Sequence, residues 1–595
     1  MRRFMSFCTT SSTLRGPDEL GPRSCPRARR PLNAYGLFAR ALVIEDPISK
    51  RRVYLGFLEL STGSPEVTKR VIERIRPAYL QWVSDRDGFD ANGSLKDPDL
   101  APAANNVLIM SSHTHSAPGH YTGNRLYDII MLSPGGFRDD VIDIIVSAME
   151  KAFNDARERL QDADIFVRSA NAYGIGRNRS FPAFAANFDH RTAWPPVRPE
   201  CAAPPDVSAL APEASAVDPY FWTLWAFPKG ERDRALGTFA VVGIHNASVG
   251  RDYHLYHPDW AGLAAQQIVE SGTTAWAAVA QGPAGDVTAI PVDGTMADMK
   301  LSLAFERSFQ VVASWQLAKP SATDQAKPAQ ELDFGFYRWR PRDDGLTTWD
   351  IGTPVINGCD ESRTPFRFDP GRGEARVATA SMRGLQGIIS KAKGLFFEDE
   401  RRSEKNQLPK EPAFGAAQLV LRKVLGLTPG DEHPLHLLRI GSHVFFGLPT
   451  EVTTFAAWTI ESALKARFRV LGLDWVGASP LAMVNDYVGY LTTAREYDTQ
   501  NYEGALTMYG RRSLEVMCEV LVSTISQGAT SFPESDGQRT VEPRGKLRQD
   551  PRPALPLPVA LRYDELIDRI KRYAGWGSWG LRRVVERLVS MADKP

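Results

Sequence analysis

Ten histidines occur in this chain, and three of them, His113, His115 and His120, lie between positions 113 and 120. His113-Thr114-His115 follows the apolar run Val107-Leu108-Ile109-Met110. If that run is a strand, alternation brings both imidazoles to one face just past its end, at the carboxyl edge where open α/β sheets build ligand sites. Neutral imidazole is a preferred zinc ligand, so the spacing offers the start of a metal site. Two hydrogen-bonded loop histidines are the competing reading of the pair alone. Further along, His245 follows Val241–Ile244, and Gly285-Asp286-Val287-Thr288 closes the run 275–280. Glu451 follows Phe445–Thr450, and Tyr487, Tyr490, Tyr497 and Tyr502 cluster after Leu481–Val484. Five apolar runs thus end in imidazole, carboxylate, phenol or hydroxyl groups, the set a metal hydrolase uses to acidify water and polarise a carbonyl.

The elements that must position these groups follow from periodicity. Ala39–Ile44 and Val53–Leu58 are β-rich, whereas 66–83 and 141–160 carry helical spacing. The alternation predicts an α/β fold: one large catalytic domain of mixed sheet and helices, ligands at the C-terminal ends of strands, and a short helical C-terminal tail. Residues 1–31 read as a disordered lead-in rich in Ser, Thr, Pro, Gly and Arg, 32–530 as the catalytic domain, 531–559 as a proline-rich linker and 560–595 as the helical tail. Segments 191–220, 318–375 and 400–413 read as long surface loops.

Composition narrows the partners. Lys plus Arg (71) nearly cancel Asp plus Glu (70), so no global field selects a polyanion and no nucleic-acid partner is expected. The five cysteines include no Cys-x-x-Cys pair, which argues against a disulfide framework and a cysteine-held structural zinc. The start of the chain shows no apolar export segment, and no stretch reaches the roughly 20 apolar residues of a membrane span. The sequence therefore reads as soluble and cytoplasmic, with no obligate protein partner evident.

At the chemistry-bearing residues the sequence resembles the neutral, non-lysosomal (neutral/alkaline) ceramidase family. The resemblance is carried by Leu37–Ala41, His113–Gly119, Gly176–Ser180, Leu448–Thr454 and Asn485-Asp486-Tyr487-Val488-Gly489-Tyr490, the last continuing to Gly504-Ala505 and Tyr509-Gly510. It implies a zinc-dependent amidase acting on the N-acyl bond of ceramide or a related sphingoid lipid. The implied zinc ligands are His113, His245, Glu451 and Tyr490; Tyr490 is preferred to Tyr487 because the family's second functional tyrosine lies twelve residues on, at Tyr502. His115 and Arg179 fall on positions that contact substrate, with His115 placed to pass a proton to the leaving amine and Tyr502 and Arg179 to stabilise an oxyanion. The family is often secreted or surface-bound, which sets the compartment implied by resemblance against the one read from the N-terminus.

Two departures stand out. Where the family has Gly-Asp-x-Ser-Pro-Asn, with its serine as nucleophile or beside the metal-activated water, this chain has Gly285-Asp286-Val287-Thr288-Ala289-Ile290. Thr288 keeps a hydroxyl but adds a stiff β-branch. Family members also continue into an immunoglobulin-like domain that holds a structural calcium in some; here about thirty residues follow the linker, so no structural calcium is expected. Trp576 and Trp579 among arginines give that tail a route to peripheral membrane contact, although packing back on the catalytic domain is favoured because Gly575, Gly577 and Gly580 weaken a helix. Two other functions compete: a barrel-type amidohydrolase drawing on His245, His257 and Asp286, and a ceramidase-like scaffold that binds lipid without turnover.

Overall fold

The computed structural model describes residues 36–84, 101–127, 137–188, 210–362, 406–410 and 428–525, apart from a few positions within these spans, together with the strand Met5–Thr13. Eight strands form the larger sheet, in the order β4 (Val107–Ser111), β3 (Arg52–Leu58), β2 (Phe38–Glu45), β1 (Met5–Thr13), β5 (Gln161–Asn171), β7 (Tyr220–Pro228), β8 (Gly237–Val242) and β9 (Ala277–Gln281). The outermost pairs, β3–β4 and β8–β9, are parallel and the rest antiparallel. A smaller sheet runs β11 (Leu332–Trp339), β12 (His433–Ile440), β13 (His443–Gly447) and β15 (Gly477–Leu481), with β13 and β15 parallel. Two-residue pairs complete the set: β6 (Arg177–Asn178) against β10 (Val287–Thr288), and β14 (Glu451–Val452) against β16 (Tyr490–Leu491).

Period-2 alternation stacks these sheets. Along β2, Ala39, Ala41 and Val43 meet α1 (Pro65–Ser84) and α2 (Asp139–Arg157), whereas Leu42 and Ile44 meet Leu438 and Ile440 of the smaller sheet. At the other end of the large sheet, Ala240, Val242 and Val279 pack on α5 (Asp259–Glu270) and α6 (Leu301–Leu317). The far face of the smaller sheet is covered by α7 (Thr454–Leu471) and α10 (Ser513–Thr524). Short helices α3 (Phe181–Ala185), α4 (Pro212–Ser215), α8 (Ala494–Asp498) and α9 (Tyr502–Leu506) lie in the connections. Strands covered on both faces need continuous apolar runs, which is why the runs were visible in the sequence.

The large sheet does not stay open. The Phe57 ring of β3 lies 5.4 Å from Phe239 of β8 and 5.7 Å from Trp276. Gln281, ending β9, donates from Nε2 to Ser112 O just after β4 (3.1 Å). The sheet thus curls until its two parallel ends face each other, and the segments leaving β4 and β8 meet. Asn485 then joins the two sheets. At φ +61° its backbone N–H bonds Ile109 O (2.9 Å). Its side chain accepts from Ile109 N and donates to Val107 O, both at 2.7 Å, so one residue satisfies the free edge of β4.

Several expectations need correction. Met5–Thr13, inside the presumed lead-in, pairs with both β2 and β5; its Ser and Thr content reads as disorder, but pairing on both edges satisfies its backbone. The stretch 318–375 is not all surface loop, because it contains β11, and 191–220 includes α4. The last strand of the smaller sheet ends at Leu481, so Ala482–Val484 lead away from it. The linker 531–559 and tail 560–595 lie outside the described residues. Among the described residues no helix is long and apolar enough to cross a membrane.

Two buried carboxylates anchor the connections. Asp286 Oδ1 accepts from Thr454 N (2.8 Å) and Thr454 Oγ1 (2.9 Å), capping α7 from another segment, while Asn178 Nδ2 donates to its Oδ2 (2.6 Å). Glu496 caps α8 with Thr493 and also accepts from Thr453 Oγ1 (2.6 Å) and Asn187 Nδ2 (2.9 Å). Burial, and then the charge of Asp286, push the Glu496 pKa up to about 8; burial pushes Asp286 up to about 6. Between the ordinary glutamate value of 4.5 and about 8 the folded state keeps a proton that the unfolded chain has lost, so stability falls as pH rises through that window. In Glu496→Gln the decline between these pH values, followed by urea unfolding, should be shallower; an equally deep decline would refute it. Asn485→Gly, which tolerates the positive φ but leaves Ile109 N and Val107 O unpaired, should cost about 2–5 kcal/mol in the same assay, and a loss below about 1 kcal/mol would show that the β4 edge does not depend on this side chain.

Candidate metal centre and active site

His113 leaves β4 at φ +67°, a left-handed conformation that costs a non-glycine residue about 1–2 kcal/mol. The strand has already ended at Ser111, so this turn, and not strand alternation, brings the two imidazoles together: His115 Nε2 lies 3.3 Å from His113 Nε2. His113 Nδ1 faces Ser61 O at 2.6 Å. His245 leaves β8 with its backbone N–H on Val287 O (3.0 Å) and its Nδ1 facing Ala284 O at 2.6 Å. A carbonyl only accepts, so in both rings Nδ1 carries the hydrogen, and in the neutral form of each ring Nε2 presents a lone pair inward.

Both Nε2 atoms point at one carboxylate oxygen. Glu451 Oε2 is 3.2 Å from His113 Nε2 and 2.9 Å from His245 Nε2, and it accepts no well-aligned hydrogen bond. All three side chains are nearly inaccessible, at 6%, 1% and 3% exposure for His113, His245 and Glu451. Three lone pairs facing one another in a dry interior repel unless a positive charge sits among them, and this orphaned oxygen is the mark of a cation site. The titrations express the same demand. Burial would lower the His113 pKa, but Glu451 more than offsets it and raises it. Burial would raise Glu451, but the imidazoles of His113 and His245 hold it well below the carboxylate range.

The ligand atoms of His113, His115 and His245 lie within 4.8 Å of one another, so this group could hold a metal ion. His115 differs from the other two in being exposed. Surrounding protein and then the adjacent imidazoles of His113 and His245 lower its pKa. Tyr490 is set level with Glu451 by the parallel β14–β16 register, with its hydroxyl 3.4 Å from His245 Nε2. Burial, and then the Glu451 charge, raise its pKa well above that of a free phenol, so it ionises only beside a cation.

Arg179 lies beside Tyr490, embedded among protein acceptors. Its guanidinium donates to Glu503 Oε1 (2.9 Å), Glu361 Oε2 (2.7 Å), Gly285 O (2.9 Å) and Tyr490 Oη (3.1 Å), with 2% of the side chain exposed. Every arm of the fork is engaged by protein. Tyr502 stands beside it, half-buried, its ring 5.7 Å from Tyr490 and 5.6 Å from the Arg179 guanidinium carbon. Thr288 exposes 0% of its surface; its Oγ1 accepts from Ile290 N (3.2 Å) and it hydrogen-bonds Glu361.

Three participants escaped sequence reasoning. Glu361 comes from the stretch read as surface loop, and its pairing with Arg179 depends on a chain path that no local pattern announces. Glu503 takes Ser180 Oγ (2.5 Å) as well as Arg179. Tyr487 donates to Glu451 Oε1 (2.5 Å) and so orients the carboxylate; the tyrosine cluster signalled it, but not which of its phenols would do so. The barrel alternative does not match this geometry. His257 Nδ1 accepts from Asp259 N (2.8 Å), Asp286 caps a helix, and the eight-stranded sheet is mixed.

Comparison with known proteins agrees with the fold. The model of the neutral/alkaline non-lysosomal ceramidase N-terminal domain matches residues 34–308 and 371–519. The chain is similar to a neutral ceramidase of Pseudomonas aeruginosa (27% identical over 492 residues, covering 80% of this chain and 64% of that protein) and to one of Mycobacterium tuberculosis (25% identical over 526 residues, covering 84% and 73%). It therefore spans less than two thirds of the Pseudomonas protein. Among solved structures it resembles a ceramidase complexed with C2 (TM-score 0.64, 22% identity, 90% of this chain and 77% of that one) and the neutral ceramidase from Pseudomonas aeruginosa (TM-score 0.61, 21% identity, 90% and 76%). With a family model matched over more than half its length, the chain belongs to the neutral/alkaline non-lysosomal ceramidase family.

Proposed function

We propose that the protein is a zinc-dependent amidase that hydrolyses the N-acyl bond of ceramide or a related N-acyl sphingoid lipid, giving a fatty acid and a sphingoid base. The observation that carries this is Glu451 Oε2, buried, without a hydrogen bond, and faced by two imidazole nitrogens whose lone pairs point inward. Two neutral imidazoles, one carboxylate and one phenol, with no thiolate, form a donor set that fits zinc. His113, His245, Glu451 and Tyr490 would hold the ion. The chemistry it would supply there is polarisation of the amide carbonyl and acidification of a water.

The chain's own groups divide the remaining work. His115, at the exposed side of the cluster, carries a proton to the departing amine at Nε2. Tyr502, half-buried beside Tyr490, offers its hydroxyl to the oxyanion. Arg179 holds the Tyr490 hydroxyl, and each of its three guanidinium nitrogens already donates to protein. Attack falls to water and not to Thr288, which exposes no surface. A C-terminal limit of the catalytic domain near 530, with a linker and a tail beyond, and a peripheral contact with a lipid surface belong to the same proposal; strand Met5–Thr13 joins that domain through its pairing with β2 and β5.

His245→Ala is a cleaner metal-site variant than His113→Ala, because His113 occupies a left-handed backbone position. By elemental analysis the wild type should carry about one zinc per chain; His245→Ala should carry almost none and lose more than ~100-fold of its turnover of a fluorescent N-acyl sphingosine. Purified wild type that holds no metal and turns over equally with a chelator present would sink the proposal. The roles of Arg179 and Tyr502 separate by stability. Arg179→Met leaves two buried carboxylates unpaired and should cost about 3–5 kcal/mol in urea unfolding, whereas Tyr502→Phe should keep its stability within about 1 kcal/mol and lose roughly 10²–10³-fold in kcat.

A further inference from the structure

Two tyrosines from one short segment reach the metal centre, and their hydroxyls have different partners. Tyr490 Oη faces His245 Nε2 and Arg179. Tyr487 Oη donates to Glu451 Oε1 at 2.5 Å, across 36 residues of sequence. The two oxygens of Glu451 are thereby made unequal: Oε1 is hydrogen-bonded, and Oε2 alone faces both imidazoles without a hydrogen bond.

Tyr487 is held from several sides. Its ring packs on Tyr127, centroids 4.7 Å apart. Its backbone N–H donates to Asp486 Oδ1 at 2.7 Å. Asp486 Oδ2 is 2.7 Å from His433 Nδ1, and His433 Nε2 is 2.7 Å from Tyr509 Oη. The chain of contacts Tyr509–His433–Asp486–Tyr487 ends on the Glu451 carboxylate, and its members are all buried. A hydroxyl fixed this way cannot follow the carboxylate if it rotates, so it sets which oxygen faces the histidines.

We propose that Tyr487 is the positioning residue that makes Glu451 a one-oxygen ligand, through Oε2, and that it is not itself a ligand. The assignment rests on the metal centre proposed above. A hydrogen bond on the distal oxygen of a metal-bound carboxylate fixes its orientation, and loss of such partners costs 10–100-fold in metal affinity. Tyr487→Phe keeps the ring and its packing on Tyr127 and removes only the donor. Tyr127→Phe is the control, since its hydroxyl reaches Met508 Sδ (3.7 Å) and no hydrogen bond joins it to Glu451.

The test measures zinc affinity by competition with a chromogenic chelator, and the visible absorption of the cobalt-substituted protein, which reports the ligand set without any turnover. Expected is roughly 10–100-fold weaker zinc binding by Tyr487→Phe together with an altered cobalt band, while Tyr127→Phe matches wild type and all three metal-free proteins melt together. Equal affinity and an unchanged cobalt spectrum in Tyr487→Phe would overturn the assignment and leave the metal centre standing. Equal losses in both variants would also overturn it, by tracing the effect to packing. Wild type that binds neither zinc nor cobalt would remove the centre itself, and the role of Tyr487 with it.

Discussion

Glu451 sits in the interior beside two imidazoles whose outward nitrogens are already committed to backbone carbonyls, and this forces the electrostatics of the whole site. With Nδ1 of His113 and His245 pinned as donors to Ser61 O and Ala284 O, their lone pairs and Glu451 Oε2 must share one small volume. A buried carboxylate left in that position is costly unless positive charge joins it. The neighbouring groups are arranged around the same constraint. The Arg179 cation is balanced one layer back by Glu361 and Glu503, so it does not compensate Glu451, and the demand for a cation stays local.

Bringing those three groups together is a problem of sheet geometry. β4 and β8 lie near opposite ends of the strand order, and on an open sheet the segments leaving them would be far apart. Curling, closed by Gln281 on Ser112, brings His113 and His245 to the same place. The smaller sheet then supplies Glu451 and the tyrosines, and Asn485 locks it to β4. Backbone strain gathers at the joints: His113, Met483 and Asn485 all take positive φ. Such conformations persist where surrounding structure over-determines them, and here dense hydrogen bonding around Asn485 and His113 does so.

This division explains what the sequence disclosed. Strands buried on both faces wrote themselves as apolar runs, and the polar groups that follow them, His113, His245 and Glu451, were legible because a strand end is where side chains can leave the core. Tyr490 followed only by resemblance, since its register with Glu451 is set by a two-residue strand too short to leave a pattern. Glu361, Glu503 and the role of Tyr487 were not legible, because each is defined by a partner tens to hundreds of residues away. The strand Met5–Thr13 was missed for a related reason: its composition reads as disorder, and only pairing on both edges makes it a strand.

Arg179 shows most clearly why residue type alone does not assign a role. An arginine near a hydrolytic centre invites the reading of an oxyanion or substrate clamp, since the fork is suited to it. Here the fork is spent on two carboxylates, a carbonyl and the Tyr490 hydroxyl. Turning the Nε or Nη1 arm toward substrate would strand a buried acid, at a cost comparable to what a single oxyanion contact returns, and turning Nη2 would release Gly285 O and the Tyr490 hydroxyl. On the proposed reading, charge developing on the substrate must therefore be met by groups that keep free capacity at the site, the metal ion and the Tyr502 hydroxyl. On that same proposed reading, Arg179 acts on the reaction through the phenol it holds. The same logic bears on Thr288: a hydroxyl buried against Glu361 and Ile290 N supports the floor of the site, so exchanging the family's serine for threonine there is tolerable if water is the nucleophile and damaging if the hydroxyl is.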